Sequence, residues 1–188
     1  LSTTANATVE SDVTQSASGV VFAVNRAGDV NGDGYDDLLV GWPSYENGQT
    51  REGRAYVYHG GSTGISTTAT WITESDQSTA AYGFAANSAG DVNGDGYDDV
   101  IIGAYVYDNG QTNEGRAYVY HGSATGLSTT AAWKVEPNQS TTSFGRAACG
   151  AGDVNADGYD DVIVGAYQYD NGQTDEGRVF IYHGSLTG

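Results

Sequence analysis

The residues best placed to do chemistry lie in one short loop, Asp29-Val30-Asn31-Gly32-Asp33-Gly34-Tyr35-Asp36-Asp37. Its pattern, D-x-N-x-D-G-x-x-D, recurs at 91–99 and 153–161. Hard oxygen donors at alternate positions converge when such a loop curls around one cation, and glycine at the sixth position permits the sharp turn. The side-chain ligands expected in the first loop are Asp29, Asn31, Asp33 and Asp37, with the backbone carbonyl of Tyr35. In the second they are Asp91, Asn93, Asp95 and Asp99 with the carbonyl of Tyr97. In the third they are Asp153, Asn155, Asp157 and Asp161 with the carbonyl of Tyr159. Three carboxylates, an amide and a carbonyl favour Ca²⁺, since Mg²⁺ demands a tighter octahedron and keeps more water. Zinc would want His or Cys, and neither lies in the loops. Three calcium sites per chain are expected.

Two other readings compete. The first half of each loop resembles an EF-hand or dockerin loop, but those need an acidic ligand at position 12. Here that position holds Val40, Ile102 or Val164, inside an apolar run. Alternatively the aspartates only make Asx-turns. Three copies that each keep all four side-chain ligands favour the ion. Asp36, Asp98 and Asp160 are expected to be turn or outer groups. Ala156 replaces glycine at a position that is not a ligand, and the change should be tolerated.

The remaining candidates are weaker. His59, His121 and His183 hold one repeated position and read as packing or turn residues, not as catalytic bases. Arg54, Arg116 and Arg178 are expected to pair with Glu52, Glu114 and Glu176 across turns. Cys149 reads as a small buried residue, and a single cysteine excludes an intrachain disulfide. Loops carrying Trp42, Tyr45 and Asn47, then Tyr105, Tyr107 and Asn109, then Tyr167, Tyr169 and Asn171, join aromatic faces to planar amides. Such loops can bind sugars or protein segments, or be ordinary solvated hairpins. No Ser-His-Asp grouping or phosphate-binding glycine loop stands out, so no enzyme is expected.

The elements that must position these loops follow from an internal repeat of period 62. Residues 90–122 and 152–184 differ at 7 positions, and 28–60 differ from 90–122 at 8. Each copy reads as four strands. The first is rich in Gly and Ala (Gly83–Ala86, Gly145–Ala148). The second is an unbroken apolar run (38–40, 100–102, 162–164), which fits a strand buried on both faces. The third is aromatic and β-branched (Arg54–His59), and the fourth alternates around Trp71 or Trp133. No helical period is sustained. Repeated four-stranded units predict an all-β protein, a β-propeller with one antiparallel sheet per blade. The 188 residues carry 24 acidic and 7 basic side chains, a net charge of -17, which argues against a nucleic-acid partner. Fourteen Tyr argue against disorder. No apolar run is long enough to span a membrane.

The repeat resembles the FG-GAP repeat of integrin α-subunit propellers and related bacterial surface proteins. Phe144-Gly145 is the FG element, Tyr82-Gly83 is its near match, and Val20-Val21 stands there in the first copy. Gly41-Trp42-Pro43, Gly103-Ala104-Tyr105 and Gly165-Ala166-Tyr167 replace Gly-Ala-Pro. The resemblance implies structural calcium loops on one face and ligand approach on the other. It implies an extracellular or cell-surface binding or adhesion module. A calcium-dependent lectin is the alternative, as is a fragment or designed repeat scaffold with no ligand.

The chain opens on 1–10, which matches the fourth strand at Ile65–Glu74, and ends just after the third strand of the third copy. The expected organisation is an outer strand at 1–11, then blades at 16–75, 80–137 and 141–188, the last lacking its own outer strand. Three blades are too few to close a ring. Six blades in a head-to-tail homodimer, with 1–10 completing the partner's third blade, would resolve both features.

Overall fold

The computed structural model describes residues 3–9 and 23–187. Its strands are β1 (Ala23–Gly28), β2 (Asp37–Trp42), β3 (Arg54–Tyr58) and β4 (Trp71–Glu74), then β5 (Tyr82–Gly90), β6 (Asp99–Ala104), β7 (Arg116–Tyr120) and β8 (Trp133–Val135), and finally β9 (Ala147–Gly152), β10 (Asp161–Ala166) and β11 (Arg178–Tyr182). Among the described residues there is no helix. Each sheet is an antiparallel meander in chain order, β1-β2-β3-β4, β5-β6-β7-β8 and β9-β10-β11. The register is equivalent in each blade, with Val40 opposite Tyr56, Ile102 opposite Tyr118 and Val164 opposite Phe180.

The sheets stack through their first strands, β1 on β5 and β5 on β9. That explains their small side chains, because a bulky residue there would wedge the blades apart. Asn25 Nδ2 donates to the Ala86 carbonyl at 2.9 Å, and Asn87 Nδ2 to that of Ala148 at 2.7 Å. Parallel bridges Gly53–Tyr82 and Gly115–Phe144 tie each blade to the next.

Two apolar cores fill the two junctions. Leu39, Val57 and Trp71 of the first blade meet Tyr82, Val100, Ile102 and Tyr120 of the second. Ile101 and Val119 of the second meet Phe144, Val162 and Val164 of the third. Alternate residues of β6 therefore face opposite cores, the physical reason for its unbroken apolar run. Each such Val, Ile or Leu contributes about 1.5–3 kcal/mol by leaving water. Trp71 packs edge-on to Tyr120 at 5.0 Å and donates Nε1–H to the Ser128 carbonyl at 2.8 Å, and Trp133 packs on Tyr182 at 4.8 Å. Both tryptophans are inter-blade contacts.

Boundaries differ from the sequence reading in detail. β5 is twice the expected length, and β3 and β7 stop before the histidines. The expected start of the first blade, 16–22, lies outside the described residues. Of the expected outer strand at 1–11, residues 3–9 are described and form no strand within the single chain.

Candidate metal centre

Each Asp-rich loop begins where the first strand of a blade ends and closes where the second begins. In the first loop, Asp29 Oδ1 accepts from the Asp33 N–H at 3.0 Å and Oδ2 from the Gly34 N–H at 2.8 Å. Asn31 Oδ1 accepts from the same Asp33 N–H, and Asp33 Oδ1 accepts from the Tyr35 N–H, both at 3.0 Å. Asp91, Asn93 and Asp95 repeat these bonds, as do Asp153, Asn155 and Asp157. The loop's own N–H groups thus fix the side-chain oxygens in Asx-type turns.

The last aspartate of each loop is anchored differently. Asp37 is buried, accepting from Val30 N–H at 3.1 Å and Gly60 N–H at 2.8 Å. Asp99 accepts in the same way from Val92 and Gly122, and Asp161 from Val154 and Gly184. Burial raises the Asp37 carboxyl, and pushes that of Asp99 up to about 7 against its two N–H donors. Asp161 also receives His183 Nδ1 at 3.2 Å, and its carboxyl lies below the usual range although burial opposes this.

Among the described residues, no three Asp, Glu, His or Cys side chains already converge as a metal cluster. The donor chemistry nevertheless fits a hard divalent cation. The side chains that take the loop N–H bonds do so through oxygen, and Asp99 is a buried carboxylate that accepts from two neutral N–H groups while Asp91 and Asp95 repel its charge. Asp29, Asn31, Asp33, Asp37 and the Tyr35 carbonyl would hold the first ion, with their counterparts at the second and third loops.

Asp98 and Asp160 have a role that sequence spacing did not indicate. Asp98 Oδ2 accepts from the Asp29 N–H of the preceding blade at 2.8 Å, and Asp160 Oδ2 from that of Asp91 at 3.0 Å. Each carboxylate fills the space beside a glycine. A Cβ at Gly28 would lie 2.3 Å from Asp98 Oδ2, and one at Gly90 2.0 Å from Asp160 Oδ2. These aspartates are latches between consecutive loops.

At the other end of the sheets, the arginines do not pair with the expected glutamates. Arg54 binds Glu74 at 2.7 Å and lies 3.7 Å above the Tyr45 ring, and Arg116 binds Glu136 and lies 4.0 Å above Tyr107. Glu52 and Glu114 are buried instead, taking the Asn47 and Asn109 N–H groups. Burial raises both carboxyls. The reason is register: β3 pairs with β4 so that Arg54 stands opposite Glu74.

The loop residues considered for ligand binding divide accordingly. Trp42 and Tyr45 are buried against each other. Asn47 and Asn109 donate to Glu74 and Glu136. Tyr107 packs on Tyr118 and Tyr169 on Phe180, with Arg178 4.3 Å above Tyr169. Tyr105 packs on Phe84 at 4.6 Å, and Tyr167 is exposed beside Arg146. Asn171 is exposed. Cys149 is half-buried.

Stacked antiparallel blades, each with an acidic loop after its first strand, define a propeller-type repeat protein. The FG-GAP repeat family matches residues 26–58, 84–120 and 144–182, and the chain belongs to that family. It is 36% identical over 169 residues to Integrin alpha-PS2 of Drosophila melanogaster, covering 82% of this chain and 11% of that protein. It is 32% identical over 165 residues to Integrin alpha-5 of Xenopus laevis, covering 83% and 15%. It is 36% identical over 147 residues to Integrin alpha-IIb of Mus musculus, covering 74% and 14%. The chain therefore spans 11–15% of the length of these relatives. No helix among the described residues is long and apolar enough to cross a membrane.

Proposed function

We propose that the chain is a calcium-stabilised, integrin-like propeller module that serves outside the cell in adhesion or binding, without catalysis. The observation that carries the reading is the thrice-repeated all-oxygen loop with its buried terminal aspartate. Asp99, wholly buried and pushed up to about 7, lacks the positive charge that would offset its desolvation. A divalent cation bound by Asp91, Asn93, Asp95 and Asp99 supplies that charge, and counterparts in the other two loops bring the total to three ions. Extracellular modules hold Ca²⁺ with dissociation constants of about 10⁻⁴–10⁻³ M, so millimolar calcium loads them and cytosolic calcium does not. The integrin alpha relatives support the adhesion reading.

Isothermal titration with CaCl₂, read beside thermal melts in calcium and in chelator, tests it. The expected result is three binding events per chain and a clear loss of melting temperature in chelator. Identical melts in both buffers would refute structural calcium.

A glycan-binding face is the second reading. The exposed Tyr167 ring beside Arg146 favours it, since most of the other loop aromatics are engaged inside their own blades. A glycan array in calcium checks it, and uniform silence removes it.

A further inference from the structure

The second Asp-rich loop gathers around the Asn93–Gly94 peptide the groups that a side-chain cyclisation needs. The attacking atom is the Gly94 nitrogen. Glycine has no side chain to crowd it, and its φ of +73° is one that glycine adopts freely. The Gly94 N–H donates to Asp91 Oδ1 at 2.7 Å, so an acceptor for its proton is already in place. The electrophile is the Asn93 side-chain carbonyl. Its Oδ1 accepts from the Asp95 N–H at 3.0 Å, so the oxygen that gains charge during attack already has a donor. Asn93 Nδ2, the leaving nitrogen, donates to Asp95 Oδ2 at 3.0 Å. Gly94, Asp95 and Gly96 are exposed, which admits the water that a later hydrolysis consumes.

The equivalent asparagines lack part of this set. Residues 28–37 and 90–99 are identical in sequence. Asn31 makes the same two side-chain bonds to Asp33, but Asp29 Oδ1 takes the Asp33 N–H alone, and the Gly32 N–H has no acceptor among the described residues. In the third loop Ala156 follows Asn155, and its methyl group crowds the nitrogen that would attack. Asn47 and Asn109 also precede glycine, in the hairpins. Their Nδ2 groups are tied to Glu74 and Glu136, and among the described residues no N–H donates to their side-chain oxygens. The fold, and not the local sequence, therefore separates Asn93 from Asn31.

We propose that Asn93 is a self-modification site, at which the ion-free loop converts asparagine to aspartate or isoaspartate through a cyclic imide. The Gly94 N–Cγ bond forms and the Asn93 Cγ–Nδ2 bond breaks. The Gly94 amide proton passes to the Asp91 carboxylate and then through water to the departing nitrogen, which leaves as ammonia. Asp91 is regenerated. Water then opens the ring. Attack at Cγ leaves aspartate, and attack at the backbone carbonyl leaves isoaspartate, with the main chain running through Cβ and Cγ. In sum, asparagine and water give an acid and ammonia, and no oxidant or reductant is used.

Either product places a further negative charge in a loop that already holds Asp91, Asp95 and Asp99. Isoaspartate also lengthens the main chain between two residues whose N–H groups and side chains close the turn. The step uses only groups of this chain and water, so it stands independently of the calcium reading.

The test is to incubate the 188-residue chain in chelator at neutral pH, folded and in urea, and to follow each asparagine by peptide mapping with mass spectrometry and isoaspartyl methyltransferase labelling. In the folded chain Asn93 should react about tenfold or more faster than Asn31, the low side of what a positioned proton acceptor contributes. In urea the two should react at equal rates, because their surroundings in sequence are identical. Asp91→Asn should slow Asn93 by a similar factor, in protein whose circular dichroism matches that of the parent. The comparison of Asn93 with Asn31 within the parent chain needs no variant to fold. The proposal is overturned by equal rates at Asn31 and Asn93 in the folded chain, by a difference that persists in urea, or by a folded Asp91→Asn variant in which Asn93 reacts as before.

Discussion

Asp98 and Asp29 hold each other by two hydrogen bonds: the Asp29 N–H donates to Asp98 Oδ2 at 2.8 Å, and the Asp98 N–H donates to the Asp29 carbonyl at 3.1 Å. Asp160 and Asp91 repeat the pair. Asp29 and Asp91 open their loops, whereas Asp98 and Asp160 each precede the last proposed ligand of the next. The Asp-rich loops of neighbouring blades are therefore mechanically joined, and order in one supports order in the other.

The latch gives a first prediction. Asp98→Ala leaves the Asp29 N–H without its acceptor and should cost about 1–3 kcal/mol in chemical denaturation. Gly28→Ala should be worse, since a methyl would meet the Asp98 carboxylate in a backbone held at φ +91°. Asp36→Ala is the internal control. Its side chain makes an exposed ion pair with Arg26 at 3.6 Å and no latch to another loop among the described residues, so stability should stay within about 0.5 kcal/mol.

A second prediction concerns pH in calcium-free protein. A carboxyl raised in the folded state binds its proton more tightly there than in the unfolded chain. Stability then falls as pH rises from the unfolded value to the folded one. For Asp99 that window runs from 3.8 to about 7, and Asp37, Glu52 and Glu114 act in the same direction. Asp161, lowered in the folded state, stabilises above its ordinary value and loses that contribution only in stronger acid. Denaturation at pH 5 and pH 7.5 should show the apo protein more stable at pH 5. Saturating calcium should reverse the order, and Asp99→Asn should flatten the apo difference.

Much of this was legible in sequence because it repeats. Three loops with the same oxygen donors declared a common site, and the unbroken apolar runs at 38–40, 100–102 and 162–164 declared strands covered on both faces. What stayed hidden depends on contacts between copies. Asp98 looked like a turn residue because its partner, Asp29, lies 69 residues away on another blade. Gly32 looked like a spare loop position because the ring that needs its hydrogen belongs to Tyr97. Sequence proximity points Arg54 to Glu52, two residues away, yet strand pairing delivers it to Glu74. Adjacency in sequence was a poor guide where the register of a sheet decides which charges meet.

The third prediction isolates the packing role of the tryptophans. Trp71→Phe keeps an aromatic ring against Tyr120 but removes the inter-blade hydrogen bond to the Ser128 carbonyl. The expected loss is about 1–2 kcal/mol, read from the midpoint of urea denaturation. Calcium affinity should be unchanged, since Trp71 supplies none of the proposed ligands, although it shares a core with Val30 of the first loop.

The last prediction separates charge from shape at the other end of the blades. The Arg116 guanidinium lies 4.0 Å above the Tyr107 ring and binds Glu136 through Nε and Nη2. Lysine keeps the positive charge but offers neither a planar face for the ring nor a fork for the carboxylate. Glu136 also takes the Asn109 side chain, and the Asn109 N–H goes to Glu114, so one guanidinium steadies the whole hairpin. Arg116→Lys should therefore cost about 1–2 kcal/mol, from the stacking and the lost hydrogen bond together. Arg116→Ala should cost more, because Glu136 would be left half-buried without a cation. Hydrogen exchange is the decisive readout. In both variants the amides of residues 107–114 should exchange faster while those of the Asp-rich loop 91–99 keep their protection. Equal loosening of both ends of the blade would show that Arg116 acts on the sheet as a whole and not on the hairpin.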